Sequence, residues 1–132
     1  MTMMTTDDFL DFIETLGKDA ELYNGYCDES KEKSITVYFR SNAAAKDYRG
    51  FDDPSTQLLP ITLLITYTDN NAIAQRFAID LWQQLKYTYH TQGSYNFHII
   101  PKDNLLPVSL SKNEAGFFQY AIDFNIFYSE RS

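Results

Sequence analysis

The chain has 132 residues, with 18 Asp and Glu against 11 Lys and Arg, a formal net charge of −7 and a pI near 4.6. That balance excludes a basic grip on phosphates, since affinity for nucleic acid rests on counterion release by Lys and Arg, though DNA can pass an acidic surface without sticking. At 44% hydrophobic and 22% charged the chain reads as one folded domain over 1–132, and its single cysteine, Cys27, excludes an internal disulfide framework and a cysteine metal cluster.

The opening, MTMMTTDDFLDF, has neither the basic region nor the apolar run of a secretion signal, and no stretch reaches membrane-spanning length. The expectation is a soluble protein in a reducing, cytoplasmic setting. Thr5 or Thr6 can cap a first helix, Asp7 and Asp8 suit its positive end, and Gly17 stops it. Phe9, Phe12, Ile13 and Leu16 form its apolar stripe. AELYNGYC offers a first strand, DESKEK an exposed turn, and SITVYFR a second strand in which Ile35, Val37 and Phe39 alternate with Thr36 and Tyr38. The polar connection from Ser41 to Ser55 is long for a compact domain.

LLPITLLITYT reads as a third strand, with Pro60 at its beginning or on an edge. Asp69 or Asn70 then caps a helix in which Ile73, Phe77, Leu81 and Leu85 recur at spacing four, supported by Ala74, Ala78 and Trp82, and TQGS ends it. YNFHII is another strand, and PKDNLLPVSLSKNEAG a second long connection. The closing strand places Phe118, Tyr120, Ile122, Phe124, Ile126 and Tyr128 on one face, and Phe117 and Phe127 on the other. The pattern predicts an α+β fold of order α-β-β-β-α-β-β, a mainly antiparallel sheet of four to five strands with two helices on one face.

Chemistry finds little purchase in this sequence. His98 alternates with Phe97 and Ile99 in a strand, His90 stands at the end of the second helix, and neither has a partner at metal-ligand spacing. The acidic pairs Asp7–Asp8, Asp28–Glu29 and Asp52–Asp53 fit a helix start and two turns, without an EF-hand pattern. The five glycines are not clustered, there is no nucleophile elbow, and Cys27 has no neighbouring histidine. No catalytic set, metal site or cofactor site is nominated.

Four stretches carry a resemblance: the first helix followed by SITVYFR; YRGFDDPSTQLLPITLLITYTDNNAIAQRFAIDLWQQL; IPKDNLLPVSL; and NEAGFFQYAIDFNIFYSER. In order and pattern, over nearly the whole chain, they resemble the tail terminator proteins of long-tailed phages, often labelled minor capsid proteins. The loop at SNAAAKDY departs from that pattern by lacking a Pro-Gly turn.

The resemblance implies a virion protein at the head-tail junction, assembled in the host cytoplasm as a homo-oligomer, a hexameric ring. Such a ring sits on the last ring of tail tube protein, stops tube polymerisation and faces the head-side connector protein, with DNA passing through its lumen without specific binding. It implies no catalysis, no cofactor, no metal and no membrane. Tyr48, Phe51, Asp52 and Asp53 of the long loop, with Phe117 and Phe127, are the candidate interface residues, because long loops and exposed apolar surface tend to carry contacts. Another phage neck or head-completion protein, and a small non-catalytic bacterial binding module, are the alternatives.

Overall fold

The computed structural model describes residues 3–40 and 56–131. In chain order these form α1 (Thr6–Glu14), β1 (Glu21–Asn24), β2 (Lys33–Phe39), β3 (Gln57–Tyr67), α2 (Asn71–Leu85), β4 (Thr88–Gln92), β5 (Tyr95–Pro101), β6 (Val108–Lys112) and β7 (Phe118–Glu130), with a 3-10 turn at Lys102–Asn104. Thr5 begins α1 through a reciprocal capping box with Asp8. Asn70 begins α2 by accepting from the amides of Ala72 and Ile73.

The expected mainly antiparallel sheet of four to five strands is corrected: seven strands form one mixed sheet, ordered β1-β2-β3-β7-β5-β4, with β6 also on β7. β1 and β2 run parallel, while the other pairs are antiparallel. Of the two added strands, β4 replaces what reads as the end of the second helix. That helix stops at Leu85, Tyr87 takes a left-handed φ of 56°, and Gly93 turns a β4–β5 hairpin at TQGS. His90 accordingly lies in a strand. The other added strand, β6, lies in the stretch expected to be a plain connection.

β3 occupies one flank of β7 from Gln119 to Tyr128. The second flank is shared, with β5 against the C-terminal half of β7 and β6 against its N-terminal end. β5 and β6 therefore lie end to end. Pro60 is neither at the start of β3 nor on an outer strand, but pairing with β2 ends at Phe39–Ile61, one residue before it. Its carbonyl accepts the Arg40 amide at 3.0 Å. The missing N–H points to that same side, so the reciprocal bond to Arg40 is not made and the β2–β3 ladder ends here.

Both helices lie on one face of this mixed sheet. A single core joins Phe9, Phe12 and Ile13 of α1, and Ala74, Ala78, Leu81, Trp82 and Leu85 of α2, to alternate residues of β2, β3, β5 and β7. The stripe of α2 is turned relative to the sequence reading: Ile73 is exposed and Phe77 half-buried. Fully buried Ile61, Leu63, Ile65, Ile122, Phe124 and Ile126 form its centre. Each contributes roughly 1.5–3 kcal/mol of transfer free energy, against the entropy of ordering the chain.

Candidate interaction surface

The sheet face away from the helices is built row by row from the strand register. Ser34, Thr66 and Gln119 form one row; Thr36, Leu64 and Ala121 the next; then Tyr38, Thr62 and Asp123. Further along, Arg40 lies beside Pro60 and Asn125, and the next row holds Leu58, Phe127, His98 and Tyr89. The face thus grades from hydroxyls and amides, through one cation and one carboxylate, to an aromatic end.

Arg40 organises the middle rows. Its Nε donates to the Ile61 carbonyl at 3.1 Å, and its Nη2 to the Phe124 carbonyl at 2.6 Å and Asn125 Oδ1 at 2.7 Å. In the adjoining row Thr62 Oγ1 donates to Asp123 Oδ1 at 2.5 Å. A planar guanidinium can fan several donors over adjacent strands in this way, whereas an ammonium is a single point charge.

At the aromatic end, Tyr89 stacks on His98 with ring centroids 3.8 Å apart and planes 14° from parallel. Burial pushes the His98 imidazole below its ordinary pKa, and its buried Nδ1 has no hydrogen-bond partner among the described residues. A cavity of about 170 Å³ opens here between Tyr89, His98, Phe127 and Thr56.

The second feature is the arm that ends in β6. After β5 the chain passes through Asp103 and Asn104, both in left-handed backbone, and the Tyr87 hydroxyl donates to Asn104 Oδ1. Leu105, Leu106, Val108 and Leu110 follow, with 49%, 63%, 53% and 48% of their surface exposed. Every residue of β6 is exposed, and its register on β7 slips between Ser109 and Lys112. Among the described residues no strand covers the outer flank of β6 or that of β1. Four large aliphatics in six residues stand beside a strand edge that no described strand covers, a concentration of exposed apolar surface and not scattered exposure.

Of the residues nominated from sequence, Tyr48, Phe51, Asp52 and Asp53 lie outside the described residues. Phe127 lies in β7 beside Leu58 and His98, whereas Phe117 precedes that strand, so almost the whole length of β7 separates them. The structure does not bring them together. Phe127 is only 6% exposed and Phe117 half-buried, which corrects the expectation that a monomer exposes them. Sequence reasoning missed the 105–110 arm, although NLLPVSL is an apolar run inside a supposed loop, and it missed Arg40, whose reach nothing in SITVYFR signals.

Among the described residues no three His, Cys, Asp or Glu side chains converge on a point that could hold a metal ion. No helix among them is long and apolar enough to cross a membrane. Comparison with models of known protein families, and with curated proteins, finds no match to this chain.

Proposed function

We propose that this protein is a ring-forming structural subunit of a phage tail, of the terminator type. In this reading six copies close head to tail on the end of the tail tube, stop its growth and present a surface to the head-side connector, while DNA passes through the lumen. The observation that carries the reading is the β6 edge, which no described strand covers, with Leu105, Leu106, Val108 and Leu110 beside it. Head-to-tail closure joins two different surfaces of one subunit. The flanks of β1 and β6, on opposite sides of the sheet, are two such surfaces. The net charge of −7 suits a lumen that DNA traverses without sticking. The resemblance over nearly the whole chain names the assembly.

Light scattering on a sizing column, with negative-stain imaging, tests this on the protein alone and mixed with tube protein. The expected result is a six-fold ring in at least the mixture. A monomer under both conditions overturns it.

A further inference from the structure

β1 and β2 are parallel neighbours in register, Glu21 beside Ser34 and Asn24 beside Val37. The chain leaving Asn24 must therefore travel back the length of β2 before Lys33 can begin it. Parallel neighbours usually use a helix for that return. Here only residues 25–32 are available, and α1 already packs on the helix side of β1 and β2. The return crosses the opposite face, where Cys27 Sγ lies 3.8 Å from Thr66 Oγ1. Burial, then the nearby charges of Cys27 and Glu29, push the Tyr38 hydroxyl up.

What the segment covers is polar. Ser34, Thr36 and Thr66 are fully buried and Gln119 is nearly so. Gln119 Nε2 donates to Thr66 Oγ1 at 3.0 Å, but Ser34 Oγ and Thr36 Oγ1 have no partner among the described residues. None of residues 25–32 belongs to the apolar core. Besides the Cys27 contact, the segment is held by the Gly25 amide to the Val37 carbonyl at 2.9 Å, the Thr68 amide to the Glu32 carbonyl at 2.8 Å, and Asn113 Nδ2 to the Glu29 carbonyl at 3.1 Å, with Lys31 Nζ 3.9 Å from Glu21 Oε2 and the largely exposed Tyr26 ring 5.3 Å from that of Tyr23.

We propose that residues 25–32 are a strap that lifts from the sheet while the rest of the protein stays folded, uncovering the Ser34, Thr36, Thr66 and Gln119 row. Two energetic facts make this the low-cost opening of the molecule. Lifting exposes little apolar surface, so the hydrophobic term resists it weakly. It also lets water satisfy two hydroxyls that are buried without partners, recovering the cost of leaving them unmade. The uncovered row is neutral and rich in donors and acceptors, a surface distinct from the aliphatic arm at β6. The inference does not depend on the proposed ring.

The test places one thiol under the strap. In a Cys27→Ser background, Thr36→Cys and, separately, Ser34→Cys are labelled with an aryl disulfide reagent across a series of urea concentrations below the unfolding transition. Strap opening gives a labelling rate nearly independent of urea, because little surface is exposed. Labelling that follows the full urea slope of global unfolding overturns the proposal. Adding Asn113→Asp removes the donor to Glu29 but keeps the Oδ1 acceptor that Ala115 and Phe117 use. It is expected to speed labelling about three- to tenfold, the loss of one hydrogen bond, and an unchanged rate counts against the strap. In the unsubstituted protein, the Gly25 amide exchanges with the same shallow urea dependence, and a global slope there is equally fatal.

Discussion

The guanidinium of Arg40 reaches past Pro60 to Asn125, with Nη2 2.7 Å from Asn125 Oδ1, and so ties the end of β2 to the middle of β7 across β3. It also caps the carbonyls of Ile61 and Phe124. Replacing it with methionine keeps most of the aliphatic stem and removes every donor. Arg40→Met is expected to lower unfolding free energy by roughly 1.5–3 kcal/mol, the range for a hydrogen bond to a charged group. Arg40→Lys should recover only part of this, since one ammonium cannot serve three acceptors on two strands. Urea titration followed by circular dichroism gives both numbers.

The arm and the core should separate assembly from folding. Leu106→Ser and Leu110→Ser alter side chains that are already about half exposed, so each should change monomer stability by no more than about 0.5 kcal/mol. If the β6 edge is the subunit contact, the pair together abolishes ring formation on tube protein. Phe124→Ala, in the fully buried centre of β7, should instead cost about 3–5 kcal/mol. Light scattering and thermal melts on the same preparations check both halves.

Both histidines are held below their ordinary pKa by burial. In the unfolded chain they titrate near 6.5, so below that pH the unfolded state binds more protons than the folded one. Their contribution is fully present above about pH 6.5 and is lost as pH falls toward the folded values. Stability should therefore decline between pH 7.5 and 5.5. The double variant His90→Gln/His98→Gln should flatten that decline, whatever it does to absolute stability. Equal slopes for the two proteins would refute the assignment.

The Tyr23 hydroxyl donates to Glu21 Oε2 at 2.6 Å, and that bond, more than any other influence, pushes its pKa up to about 12. Glu21→Gln removes the charge that opposes phenolate formation, so Tyr23 should fall toward the ordinary tyrosine value near 10. Carbon-13 NMR of the ring Cζ resolves this one tyrosine among ten.

Sequence reading succeeded where burial imposes a period. α1, β3 and β7 each alternate or recur because one face is in the core, and their positions follow from that. β6 failed the same test for a physical reason: all five of its residues are exposed, so no burial pattern exists to be read. β4 was hidden because it follows α2 with no Gly or Pro between them, the break resting on Tyr87 in left-handed backbone. The parallel β1–β2 pairing spans only four residues and leaves no composition signal. At the candidate surface, the burial of Phe127 depends on Leu58 and His98 in neighbouring strands, which its own strand's alternation does not reveal. The reach of Arg40 depends on Asn125, 85 residues away in the chain.

The place of β7 between β3 and the β4–β5 hairpin has a consequence for how the protein reaches its native state. Until β7 docks, β1–β2–β3 and β4–β5 are two separate sheets with no ladder between them. During that interval β3, eleven residues with Ile61, Leu63 and Ile65 on one face, has one whole flank unpaired. A long apolar strand with a free flank is a template for the wrong partner. Its correct partner begins about fifty residues further along the chain, so closing that gap is slow compared with local hairpin formation. Folding yield at high protein concentration is thus governed by a race between β7 and a second molecule's β3.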